Sequence, residues 1–144
     1  MTTPVDVLLV DDDPADVLMV EEALTGWSVP TALHVVTDGV EATAFLRREG
    51  HHAEAPRPAF VLLDLNMPRK DGFQVLEEVK SDKDLAVIPV IVFSTSGAPD
   101  QILRSYAAHA NAYVVKPSDA DDFTRVVRDI DRFYTQVATP PPLA

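Results

Sequence analysis

Apolar and polar positions fall in blocks along the chain, and the length and period of each block predict an element. Val5 to Val10 is apolar apart from Asp6 and reads as a first strand. Leu33 to Val36 gives a short second strand. Phe60-Val61-Leu62-Leu63 and Val90-Ile91-Val92-Phe93 are apolar at every position, as in a strand buried on both faces of a parallel sheet. Ala112 to Val115 reads as a fifth strand. Between the strands the apolar spacing becomes helical: Val17, Val20 and Leu24; Ala42, Phe45 and Leu46; Leu76 and Val79; Ile102, Leu103 and Tyr106. The last stripe is the longest, with Phe123, Val126, Val127, Ile130, Phe133 and Val137.

Polar punctuation marks where these helices begin and end. Asp13 precedes Pro14 and reads as an N-cap, with proline at the first helical position. Asp38 to Glu41 and Asp71 to Gln74 both have the spacing of a capping box. Ser118 and Asp121 are expected to cap the last helix. Arg47 and Arg48 suit a last helical turn, and Gly50 is placed to close it. The polar segment from His51 to Pro58 reads as a loop. Its two histidines and Glu54 invite a metal, but adjacent loop histidines are more often solvated, and that is the expectation here. Thr139 to Ala144 is proline-rich and is expected to fray.

Strands and helices thus alternate five times, which predicts an α/β fold with a parallel sheet covered on both faces. Right-handed crossovers leave few windings, and the flavodoxin-like order 2-1-3-4-5 is the expected one. One domain is expected over residues 1–137, with a flexible proline-rich tail over 138–144 and no effector domain.

Composition narrows the function. The 144 residues include no cysteine, so disulfide and thiolate chemistry are excluded. A net charge of −11 disfavours a nucleic-acid backbone as a direct partner. No apolar run has membrane-spanning length and no basic-then-apolar leader opens the chain, so a soluble, cytoplasmic protein is the expectation.

The expected strand order brings distant polar residues to one edge of the sheet. Asp11 and Asp12 follow the first strand, Asp64 the third, Ser94 the fourth and Lys116 the fifth. Adjacent acids at a buried strand end need a cation or water between them. Oxygen ligands suit a hard cation such as Mg²⁺. A cation and a lysine together would neutralise an incoming phosphoryl group, and Asp64 is the candidate nucleophile. Two rivals share such a fold. A flavodoxin needs a hydroxyl- or glycine-rich phosphate loop where this chain has three acids. An aspartyl phosphatase of the haloacid-dehalogenase type needs a second Asp two residues after the nucleophile, and here that residue is Asn66.

Asp11-Asp12, Asp64 within Leu63-Asp64-Leu65-Asn66-Met67-Pro68, Asp71-Gly72, Ser94, and Tyr113 with Lys116-Pro117 occur in one order across nearly the whole chain. In these residues the chain resembles a response-regulator receiver domain of two-component signalling. Ser105 to Tyr113 and the long loop before Phe60 resemble the single-domain regulators paired with phytochrome histidine kinases.

The resemblance implies that Asp64 accepts a phosphoryl group from a sensor kinase's phosphohistidine. It implies Mg²⁺ held by the side chains of Asp12 and Asp64, by the backbone carbonyl of Asn66, and by Asp11 mainly through water. Ser94 and Lys116 would contact the phosphoryl oxygens, and Tyr113 would be an aromatic switch coupled to Ser94. The Lys116–Pro117 peptide is expected to be cis. Thr95 is bulkier than the usual residue there and would narrow phosphoryl access. Asn66 and Ser96 occupy positions that tune dephosphorylation in the family. Such a protein is a phosphoacceptor switch, not an enzyme with turnover. Its output would come from partner binding, from relay to a phosphotransfer protein, or from a homodimer, not from DNA or membrane binding.

Overall fold

The computed structural model describes residues 4–26 and 30–142; the last two residues of the predicted tail lie outside them. Five strands form one parallel sheet: β1 (Val5–Val10), β2 (Thr31–Val36), β3 (Phe60–Leu63), β4 (Val90–Ser94) and β5 (Ala112–Val115). Their order is 2-1-3-4-5, as the sequence predicts. Five α-helices alternate with them: α1 (Pro14–Leu24), α2 (Gly39–Arg47), α3 (Gly72–Ser81), α4 (Pro99–Ala107) and α5 (Ala120–Arg132). A 3₁₀ turn covers Gly50–His52, and a π-helical turn, Phe133–Val137, extends α5.

The period of two along each strand divides the core. Leu8, Val10, Val61, Leu63, Val90 and Val92 point to the face covered by α2 and α3, with Phe45, Leu46, Leu76 and Val79 among their partners. Val7, Leu9, Phe60, Leu62, Ile91 and Phe93 point to the other face, where α1 and α5 contribute Val20, Leu24, Phe123, Val127 and Ile130. β1, β3 and β4 lie inside the sheet, with β2 and β5 at its edges, so burial on both faces falls on Val7–Val10, Phe60–Leu63 and Val90–Phe93, stretches with no polar position.

The helix starts follow local chemistry, with three departures. Asp13 accepts from the Ala15 amide at 2.9 Å, and Asp71 and Gln74 complete a capping box. The first departure is at α2, where Asp38 caps Glu41 N but the Glu41 side chain turns to His52 instead of back to the helix start. The Glu41 carboxylate takes a short contact to the His52 imidazole instead of the Asp38 amide. The second is at α5, where Asp119, not Ser118 or Asp121, is the cap, accepting from Asp122 N. Asp119 is the residue with extended backbone immediately before the first turn, and Asp121 already lies inside it. The third concerns α4, which turns Ser105 to the sheet and leaves Leu103 71% exposed and Tyr106 about half exposed. Ser105 satisfies its hydroxyl on Gln101 O at 2.8 Å, so a small residue can sit at the close approach.

The end of α5 also differs from the expected stripe. Phe133 and Val137 are exposed, while Tyr134 turns inward and meets Phe60 with ring centroids 5.5 Å apart. Beside this stripe Asp131 is fully buried, and neither carboxylate oxygen has a hydrogen-bond partner among the described residues. Burial lifts its pKa from 3.8 to about 6. A raised carboxylate pKa means the folded state holds the proton more tightly. Its contribution is therefore full below pH 4 and is lost as pH rises through 6. Asp131→Asn should raise stability by about 2–3 kcal/mol at pH 8 and change it little at pH 4. Urea unfolding of both proteins at the two pH values checks this, and an equal effect at both would remove the ionised carboxylate as its cause.

Candidate functional site

The carboxyl ends of β1, β3, β4 and β5 carry the site. Ladder bonds continue one residue past the strands: Asp64 N donates to Val10 O at 2.9 Å, and Asp11 N to Val36 O at 3.1 Å. The backbone is therefore fixed at both acids. After Asp64 the chain turns through Leu65, which is buried and anchors the loop, and Gly72 N returns to Leu65 O at 3.0 Å. A Cβ on Gly72 would collide with the carbonyl oxygen of Asp64, so only glycine lets α3 begin this close to the acid.

Side-chain oxygens of Asp11, Asp12 and Asp64 all lie within 4.8 Å of one another. Asp11 is buried and already engaged on both oxygens, accepting from Asp13 N at 2.9 Å and from Lys116 Nζ at 2.8 Å. Asp12 is exposed, and Asp64 is only partly buried. Lys116 crosses from the end of β5, buried, and also meets Asp16 at 2.8 Å and Asp64 at 3.8 Å. Its backbone amide holds Ser94 O at 2.7 Å. Ser94 is buried and its Oγ accepts from Ser96 N at 3.2 Å, which leaves the hydroxyl hydrogen free to donate elsewhere. Tyr113 packs partly against the α3-side core, and its hydroxyl donates to Ser96 O at 2.7 Å. Asn66 sits exposed in the loop after Asp64.

The electrostatics follow from burial. Burial pushes the Asp64 carboxyl up from 3.8 to about 6; Lys116 pulls it down, Asp11 pushes it further up, and the Leu65 and Asn66 amides pull it down. Burial also raises Asp11, against its hydrogen bond to Lys116. For Lys116, burial favours the neutral amine, but the hydrogen bonds to Asp11 and Asp16 outweigh it and raise its pKa. The lysine stays charged.

The sequence reading brought Asp11, Asp12, Asp64, Ser94 and Lys116 to one edge, and the structure places them there. It did not find Asp16. That residue reads as an ordinary acid in the first turn of a helix, and nothing local points it at a lysine 100 residues away. The Lys116–Pro117 peptide is trans, not cis as the resemblance implied. Trans is the lower-energy form of an X-Pro bond by about 0.5–1 kcal/mol.

A family model described as the response regulator receiver domain matches residues 7–128. The chain belongs to the response-regulator receiver family. This receiver domain is 40% identical over 135 residues to the response regulator Rcp1 of Synechocystis, covering 94% of this chain and 92% of that one. Among solved structures, the phosphorylated cyanobacterial phytochrome response regulator RcpA superposes with a TM-score of 0.93 at 44% identity, covering 97% of this chain and all of that one. The Mn²⁺-bound form of Rcp1 gives 0.91 at 40% identity, over 96% of this chain and all of that one. Nothing in these matches supports the haloacid-dehalogenase-type phosphatase. The receiver domain is a signalling switch of a two-component system, homologous to phytochrome response regulators. Among the described residues, no helix is long and apolar enough to cross a membrane.

Proposed function

We propose that the receiver domain takes a phosphoryl group from the phosphohistidine of a sensor kinase onto Asp64. The observation that carries this reading is one partly buried carboxylate 3.8 Å from a buried lysine and grouped with two further acids, at the carboxyl edge of a parallel sheet. An Asp64 oxygen attacks phosphorus, the phosphorus–nitrogen bond breaks, and the kinase histidine leaves with the bonding pair. Lys116 lies 3.8 Å from Asp64 and offsets charge on the phosphoryl oxygens. Ser94 offers its free hydroxyl hydrogen to one of them. Asp12 and Asp64, with the Asn66 carbonyl, would hold Mg²⁺, and Asp11 would act through water because Lys116 and Asp13 N occupy its oxygens. Mg²⁺ there would supply positive charge to the phosphoryl oxygens. The carboxylates fit such an ion, being mutually repulsive, close together and partly open to solvent.

Labelling by a phosphorylated kinase tests this, with phytochrome-type kinases as first candidates because the similar RcpA is a phytochrome response regulator. Label should require Mg²⁺, survive acid and be lost in base or hydroxylamine. Mg²⁺ should also raise the melting temperature of the wild type and hardly shift that of Asp12→Ala. An undiminished shift in that variant would remove Asp12 from the site.

Output follows from the bond between Tyr113 and Ser96 O. Drawing Ser94 toward a phosphoryl oxygen moves the loop holding Ser96 and so the Tyr113 ring. Leu103, Tyr106, Val115, Phe133 and Val137 expose apolar surface on α4, β5 and the end of α5. A second copy of the chain is the reader that this surface suits. Such a switch works in the cytoplasm, on protein partners and not on DNA. Sedimentation with beryllofluoride should show a dimer, weakened by Leu103→Asp and by Phe133→Asp. Tyr134 is no surface probe, since its ring packs on Phe60. A monomer under every condition would refute the dimer.

A further inference from the structure

A second group of metal-ligating side chains lies outside the acidic cluster. Glu41, on the first turn of α2, meets His51 and His52 of the 3₁₀ turn, with ligand atoms of all three within 4.8 Å of one another. Glu41 Oε2 is 2.6 Å from His52 Nε2 and 3.2 Å from His51 Nε2. The partner is Glu41, from another element, and not the Glu54 that the loop sequence suggested.

We propose that Glu41, His51 and His52 form a site for a divalent transition-metal ion of the zinc type. Two imidazoles and one carboxylate select such an ion over Mg²⁺, whose ligands are oxygen. A tetrahedral zinc ion at about 2.0–2.1 Å from its ligands sets them about 3.3–3.4 Å apart. The His51–Glu41 separation already matches that edge. The His52–Glu41 separation is that of a hydrogen bond, and the ion replaces its proton while the pair opens by about 0.7 Å.

Glu41 and His52 are held before any ion arrives. The Glu41 amide is fixed on Asp38 at 2.8 Å. The histidine turn is closed by His52 N on Glu49 O at 3.0 Å and Ala55 N on His52 O at 2.9 Å. Phe45 packs edge-on against His52 with centroids 5.4 Å apart and covers the inner flank. His51 is exposed, which leaves the fourth position to water. Glu41 also gives up the second half of its capping box to face the histidines. The competing account is a plain Glu41–His52 hydrogen bond with the His51 ring tilted against that of His52, centroids 4.0 Å apart. That account needs no ion and gives no zinc affinity.

The test uses the full chain without an affinity tag, in excess Mg²⁺ so that the acidic cluster is already served. Calorimetry with Zn²⁺ should show one saturable equivalent. Histidine-ring NMR should show shifts at His51 and His52, with His34 and His109 unmoved. Glu41→Gln and His51→Ala each remove a direct ligand. Zn²⁺ binding should weaken by more than the about 10–100-fold typical of losing an outer-shell partner. Asp12→Asn should bind Zn²⁺ as the wild type does. His51 is exposed; retained Mg²⁺ binding shows that Glu41→Gln and His51→Ala are folded, and circular dichroism shows it for Asp12→Asn. Absence of saturable Zn²⁺ binding overturns the site. So does equal affinity in His51→Ala, or a loss confined to Asp12→Asn.

Discussion

Asp64→Asn should accept no phosphoryl label from a kinase that labels the wild type. An amide lacks the anionic oxygen that attacks phosphorus, and no neighbour substitutes for it. Asp11 has both oxygens engaged, Asp16 is bound to Lys116, and Asp12 would be taken up by Mg²⁺. In Mg²⁺-free buffer the same substitution should stabilise the unmodified protein. The Asp64 pKa rises from 3.8 to about 6, or about 2 pH units at 1.36 kcal/mol each. Wild-type stability is therefore greatest below pH 4 with respect to this group and falls as pH rises through 6, by about 3 kcal/mol. Asp64→Asn should lack that fall and exceed the wild type at pH 8 by a similar amount. Chemical unfolding across this range, beside the labelling assay, separates the two effects. Labelling of the variant at wild-type level would end the assignment of Asp64. A stability gain that persists undiminished at pH 4 would instead implicate packing, not charge.

Much of this was legible because the sheet writes itself plainly. Val61, Leu62 and Leu63 have no polar neighbour until Asp64, so strand, burial and acid are read together. The same holds for Ile91 to Ser94. Asp71 and Gln74 name a helix start through purely local chemistry. What the chain concealed depends on contacts far apart in sequence. The phase of α4 is set by its seat beside β5, and the seat favours small Ser105 over the larger Leu103. The direction of Glu41 is set by His52, 11 residues on. Asp131 looks like one more acid on the polar side of α5, yet it is sealed from solvent. The fold was therefore more legible than the electrostatics. Hydrophobic periodicity is a local signal, whereas the state of a buried charge depends on everything around it.

Lys116 is where that dependence is strongest, and removing it should have the largest effect on stability. Its ammonium group holds Asp11 and Asp16 at 2.8 Å and Asp64 at 3.8 Å. Lys116→Met keeps most of the volume and the apolar stem beside Phe93 but deletes the charge. Three carboxylates then face one another with no cation. Breaking a buried ion pair by removing one member typically costs about 3–5 kcal/mol, and that is the expected loss at pH 8. Without the lysine, the pKa values of Asp11 and Asp64 rise further, because burial and mutual repulsion are no longer opposed. The folded variant then binds protons more tightly than the unfolded chain, so its stability increases as pH falls toward 4. The deficit should shrink by half or more at pH 5. Mg²⁺ should restore part of it at pH 8 by taking the place of the missing charge near Asp64. Phosphoryl acceptance should fall even where the fold survives, since no ammonium meets the phosphoryl oxygens. A loss below about 1 kcal/mol at pH 8 would show that the carboxylates do not depend on Lys116. A deficit equal at pH 5 and pH 8 would assign the loss to packing around Phe93 and not to charge.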